Sequence, residues 1–228
     1  MRQCFVRRAG LTVVAITLLI PAVSAQEASN RSVINFIQGA QSIELGYRTR
    51  DPLALVAGAV SLKRYRIEAV NRPVEVSGGG PETTKKFGAL GVVTRPNDPF
   101  SPAVALGAAR TLAAGDRSLL ERIADAAAAK GGSEILPGNQ SSHTIEAGYT
   151  HTFRLKGGRR GLREVGIIGD GDSLLVLSIS SAGGQGICLP ENLSSIKFCQ
   201  WTANQNDDVV VGGFNRGAVF GSYRLIVN

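Results

Sequence analysis

The chain has 228 residues and a formal net charge of +7. Three of its 25 Lys and Arg residues, and none of its 18 acids, fall within the first 25 positions. The remainder carries +4, too mild over about 200 residues to imply a nucleic-acid-binding face. The opening MRQCFVRRAGLTVVAITLLIPAVSAQEAS has a basic start at Arg2, Arg7 and Arg8, an apolar stretch from Ala9 to Ile20, and Pro21 before the small residues Val23-Ser24-Ala25. That pattern predicts a secretory signal peptide over residues 1–25, cleaved between Ala25 and Gln26, and hence a periplasmic or secreted protein. Its apolar run is shorter than the roughly 20 residues a membrane anchor requires, and no later stretch is long and apolar enough to span, so no stable span is expected after cleavage.

Residues 26–130 are alanine- and leucine-rich and read as a small helical module. SVINFIQGAQSIELGY places Ile34, Ile37, Gln41 and Leu45 along one side of a first helix. DPLALVAGAVSLKRYRIEAV predicts a second, with Asp51 as cap, Pro52 at the first helical position, and an apolar face of Leu53, Val56, Val60 and Ile67. In that reading the cations Lys63-Arg64-Tyr65-Arg66 sit late in the helix and complement its dipole. A glycine-rich loop follows near residues 72–97, expected to be mobile. DPFSPAVALGAARTLAAGD predicts a third helix. DRSLLERIADAAAAKGG predicts a fourth, capped by Asp116, with Leu119, Leu120, Ile123, Ala124 and Ala127 as its stripe. GGSEILPGNQSS, residues 131–142, reads as a linker.

From His143 to Asn228 the composition shifts to Gly, Ser, Thr and Val, and the periodicity becomes two. Tyr149, His151, Phe153 and Leu155 share one face of a strand. LREVGIIG, SLLVLSIS, IKFCQWTA, DDVVVGGFN and SYRLIVN add short strands between Gly, Asn, Asp and Pro, the pattern of an antiparallel β-sandwich. The fold class expected is α+β, a helical module followed by a sandwich.

Candidate chemistry is sparse. With Cys4 removed, Cys188 and Cys199 are an even pair in an oxidising compartment and predict a disulfide. Asp170 and Asp172 in GDGDS, with Asp207 and Asp208, are the candidate calcium ligands, against a reading of GDGDS as a turn that launches a strand. His143 and His151 are the two histidines of the mature chain; no nucleophile elbow accompanies them, and His151, on the apolar face of its strand, is read as a core histidine rather than a catalytic base. Ser194-Ser195-Ile196-Lys197 fits the S-x-x-K spacing of penicillin-recognising enzymes, but lies in a β-rich segment without the companion motifs. Trp201 is expected to pack over the disulfide rather than to serve as a sugar-stacking platform.

The order Gly169-Asp170-Gly171-Asp172, Cys188, Cys199-Gln200-Trp201, Phe214-Asn215-Arg216-Gly217 and Tyr223 to Asn228 resembles the bacterial pre-peptidase C-terminal domain. The resemblance implies a jelly-roll-like sandwich over residues 143–228. In that family the strand after GDGD often carries further aspartates; here the stretch is Ser173-Leu174-Leu175-Val176-Leu177. The expected function is that of an exported non-enzymatic protein whose sandwich is an interaction or stability module, binding a protein or a cell-envelope polymer. The alternatives are a secreted hydrolase or accessory subunit of a secreted peptidase, and a calcium-stabilised module.

Overall fold

The computed structural model describes residues 25–79, 98–132, 134–158, 160–192 and 194–228, with side chains from Val33 onward except Pro137. The predicted signal peptide, apart from its last residue, and most of the glycine-rich loop lie outside the described residues. The described elements are α1 (Ala25–Thr49), α2 (Pro52–Lys63), β1 (Tyr65–Ala69), β2 (Glu75–Gly78), α3 (Pro102–Leu112) and α4 (Arg117–Ala128). After them come β3 (Glu134–Ile145), β4 (Tyr149–Leu155), β5 (Gly161–Gly169), β6 (Leu175–Ser181), β7 (Gly186–Cys188), β8 (Ile196–Ala203), β9 (Val209–Asn215) and β10 (Gly221–Val227).

The strands form two five-stranded sheets, ordered β1-β3-β10-β5-β8 and β2-β4-β9-β6-β7. The fold is α+β, with mostly antiparallel sheets. The exception is β1, which runs parallel to β3; α3 and α4 lie in the long connection that a parallel pair requires. Alternation along the strands builds a core between the sheets from Phe153, Val165, Ile167, Leu177, Val211 and Leu225. A second core lies on the opposite face of the first sheet, where Ile168, Ile196 and Ile226 meet Val33, Phe36, Ile37 and Ile43 of α1. β10 is therefore buried on both faces, with Leu225 turned to one core and Ile226 to the other.

The caps follow the local sequence. Asp51 accepts a hydrogen bond from Leu53 N at 2.8 Å ahead of Pro52, and Asp116 accepts one from Leu119 N at 3.0 Å. Other expectations are corrected. On α1 the buried face is Val33, Phe36, Ile37, Ala40 and Ile43, while Leu45 is 52% exposed, because α2 and the sheet together define what is covered. α2 stops at Lys63, and Tyr65-Arg66-Ile67 leave the helix to extend the edge of β3. The buried face of α2 is Leu55, Gly58, Ala59 and Leu62, with Leu53 exposed. Lys63 does serve a helix end, but that of α4. Its Nζ donates to the carbonyls of Ala126, Ala127 and Ala129 at 2.5–3.0 Å, groups the end of a helix leaves without partners. Of the expected α4 stripe, Ile123 is buried and Leu119 and Leu120 are half-buried, whereas Ala124 and Ala127 are exposed. Residues 134–142, expected within the linker, are most of β3, bonded to β1 on one side and to β10 on the other. Residues 75–78, expected in the mobile loop, are β2, paired with β4.

One polar latch joins the helices to the sandwich. Glu44 on α1, 8% exposed, accepts hydrogen bonds from Ser194 Oγ, from Ser195 N at 3.2 Å and from Ser195 Oγ at 3.1 Å.

Candidate functional site

One opening lies between the two sheets, at the end where β4 and β8 finish and β5 and β9 begin. It encloses about 430 Å³. Its walls come from the last inward positions of the strands. Arg163 on β5 stands directly opposite Trp201 on β8, and Val227 on β10 is paired with Asn139 on β3. Leu155 and Val209 close it from the second sheet. Among the described residues, these positions leave the end of the sandwich open as a mouth. Arg72 reaches it from the segment between β1 and β2, which crosses from the edge of one sheet to the edge of the other.

Four cations line this mouth: Arg72, Arg154, Lys156 and Arg163. Two of them are neutralised locally, Arg154 by Glu75 at 3.1 Å and Lys156 by Asp208 at 3.4 Å. Hydrogen bonding and charge from Glu75 raise the Arg154 guanidinium above its ordinary value; the Gly157 N–H, and then Lys156, hold Asp208 below the usual carboxylate range. Arg163 donates to the main-chain oxygen of Asn228 at 3.3 Å. Arg72 differs. It donates to the Asn139 side-chain oxygen, and burial pulls its guanidinium down from the ordinary value. Its Nε and the indole Nε1 of Trp201 are buried with no hydrogen-bond partner. Two orphaned N–H donors beside a cation cost free energy that an acceptor in the mouth would recover.

The residues singled out from sequence are placed differently. In GDGDS, Asp170 Oδ1 accepts from Ser173 Oγ at 3.0 Å, its Oδ2 accepts from Ser222 N, and its own N–H donates to Ser222 O at 2.9 Å. Gly171 takes φ of +88°, which glycine adopts without strain. The stretch is a corner that fastens β10 and launches β6, whose Leu175, Leu177 and Ile179 point inward. Asp207 and Asp208 lie beyond β8, at the opposite end of the β5–β8 ladder from Asp170. Asp207 accepts from Asn204 N at 3.0 Å and Asp208 from Gly157 N at 2.6 Å. The two acidic pairs do not converge on one ion, and among the described residues no cluster of three or more His, Cys, Asp or Glu could hold a metal. A chelator is expected to leave the melting temperature unchanged; a fall of several degrees would restore a cation to one of these corners. Ser194 and Lys197 diverge: the serine is turned to Glu44, while Lys197 Nζ is held by Asn192 Oδ1 at 2.6 Å.

His143 and His151, from facing sheets, meet in the sandwich core with ring centroids 6.1 Å apart. His143 Nε2 contacts Ser141 Oγ and His151 Nδ1 contacts Tyr223 Oη, both at 2.8 Å. Ser141 is 3% exposed, while His143 is half-buried. Burial holds both imidazoles below their ordinary 6.5, and for His143 the charges of His151 and Arg72 add to it. A lowered folded-state value gives stability that is present above the unfolded value and lost as pH falls through the folded one. Glu164 acts in the opposite sense. It is 1% exposed, beside Asn228, and burial pushes its carboxyl from 4.5 up to about 7. Its stabilising contribution is full below the unfolded value and is lost as pH rises through about 7. Thermal scans from pH 5 to 9 should show a maximum between the two falls. Glu164→Gln should remove the alkaline fall, worth at most about 3 kcal/mol, and leave the acid fall in place. Identical profiles for both proteins would contradict this.

Cys188 and Cys199 form the predicted disulfide, with Cα atoms 6.0 Å apart. Trp201 packs against the core that contains the bridge, as expected, but it also borders the end mouth. Sequence reasoning missed Arg72 and Arg163. A signal was present for the second: KGGRRGLR, residues 156–163, places four cations within eight residues at a strand start. No family model matches the chain, and no curated protein matches it in sequence. Among the described residues no helix is long and apolar enough to cross a membrane.

Proposed function

We propose that the protein is an exported, non-enzymatic binding protein of the cell envelope, and that the end mouth of its sandwich is where the partner sits. The observation that carries this reading is the mouth itself. Its volume of about 430 Å³ falls within the range of small-ligand sites, and it has one aromatic wall and two unpartnered donors. Export is supported by the three-part N-terminal segment and by a disulfide of the kind oxidising compartments sustain. A jelly-roll sandwich of the pre-peptidase C-terminal kind is supported by the order β3-β10-β5-β8 over β4-β9-β6-β7, and by strands that alternate between the sheets for most of the chain from β3 onward. Such sandwiches host many functions, so the activity rests on the mouth and not on the fold.

The chain contains a single tryptophan, which makes the test clean. Soluble fragments of cell-envelope polymers should shift the Trp201 emission saturably and protect it from iodide quenching. Unchanged emission and quenching with every fragment would contradict the proposal.

A further inference from the structure

The ligand chemistry of this mouth follows from its charges, granting the reading above that it is a binding site. Arg154 and Lys156 already face Glu75 and Asp208, and Arg163 is held on the Asn228 main-chain oxygen. Arg72 is left as the cation with only an amide for company. Asp207 lines the same mouth, engaged with Asn204 N at 3.0 Å, and its charge opposes a multiply charged anion. Arg72 is therefore the place in the mouth for one singly charged partner. The buried, unpartnered N–H groups, Arg72 Nε and Trp201 Nε1, call for acceptor oxygens, and a guanidinium pairs with a carboxylate through two parallel bonds. Around them, Trp201, Leu155, Val209 and Val227 offer apolar surface. Asn139 and Asp207 offer oxygens that can accept from hydroxyl groups. A body with one carboxylate, an apolar ring face and several hydroxyls matches all three features. An acidic peptide side chain supplies the charge but neither the ring nor the hydroxyls.

We propose that the end mouth binds a uronic-acid unit of an acidic polysaccharide, its carboxylate on Arg72 and Trp201 Nε1 and its ring against the indole. The test uses the mature full chain and Trp201 fluorescence. Four probes are titrated: an oligogalacturonate, the same oligosaccharide with its carboxyls reduced to alcohols, inorganic phosphate, and tetraglutamate. The oligogalacturonate should bind saturably, and the reduced form, phosphate and tetraglutamate at least tenfold more weakly. Arg72→Gln should weaken oligogalacturonate binding at least tenfold. Arg163 faces Trp201 but is already bonded to the Asn228 main-chain oxygen, so Arg163→Gln should weaken binding less and serves as the second variant if Arg72→Gln fails to fold. Equal binding of the acidic and reduced oligosaccharides would overturn the carboxylate assignment while leaving the binding site standing. Equal binding of phosphate or tetraglutamate would overturn the sugar assignment. No response to any of the four probes, from a protein whose Trp201 does respond to other envelope fragments, would overturn the uronate proposal alone.

Discussion

Replacing Ile37 by alanine should destabilise the protein by about 3 kcal/mol, within the roughly 2–5 kcal/mol usual for a fully buried isoleucine. Ile37 is 1% exposed and sits where α1 meets the outer face of the first sheet. Opposite it, Gly166 of β5 leaves the space: a Cβ there would fall 2.4 Å from Ile37 Cδ1. The isoleucine thus fills a hollow that the strand keeps open, and truncation leaves a cavity bounded by backbone that has little freedom to collapse. Because the helices and the sandwich share this core, denaturant unfolding should stay a single transition for wild type and variant, with a lower midpoint for Ile37→Ala. Two resolved transitions, with Ile37→Ala moving one of them alone, would show that the helices fold apart from the sheets.

Removing the disulfide, as Cys188→Ser with Cys199→Ser, should cost a comparable amount. The bridged residues are 11 apart, and loop-closure entropy for such a span is about 3 kcal/mol. The location adds a structural reason. Cys188 ends β7, a three-residue edge strand of the second sheet, and Cys199 lies in β8 at the edge of the first, so the bridge staples the two sheets at one open side. β7 pairs only with β6 and is largely exposed. Without the bridge, amide exchange should rise first at Gly186–Cys188 while β10, buried on both faces, keeps its protection. Unchanged stability, or uniform loss of protection across both sheets, would contradict this account.

Features governed by neighbours in sequence were legible in advance. Asp51 before Pro52, and Asp116 before its helix, cap as expected because a cap depends on three or four consecutive residues. The alternation through His151 and Phe153, and the corner at Asp170, were readable for the same reason. What depended on distant partners was not. KRYRIEAV continues a helical pattern, yet Tyr65 to Ala69 pair with β3, some 70 residues away, and nothing local announces that edge. GGSEILPGNQSS has the composition of a linker, but it lies between β1 and β10 and supplies the ladder both require. Leu45 matched the expected stripe of α1 and is exposed, because the covered face is set by α2 and the sheet together. The mouth was hidden more deeply. Arg163 and Trp201 become neighbours only through the β5–β8 register, and Arg72 arrives from a segment that reads as an unstructured loop.

The central claim is that this end of the sandwich, and not its opposite end or the helical layer, receives the partner. A nitrogen-15 correlation spectrum of the mature protein tests it, since the lone tryptophan gives one indole signal. On addition of acidic envelope polysaccharide, that signal should move together with the amides of Leu155, Val209 and Val227. The amides around Asp170 and Ser222 should stay in place. A stationary indole signal, with shifts gathered at the Asp170 end or along α1, would contradict the account.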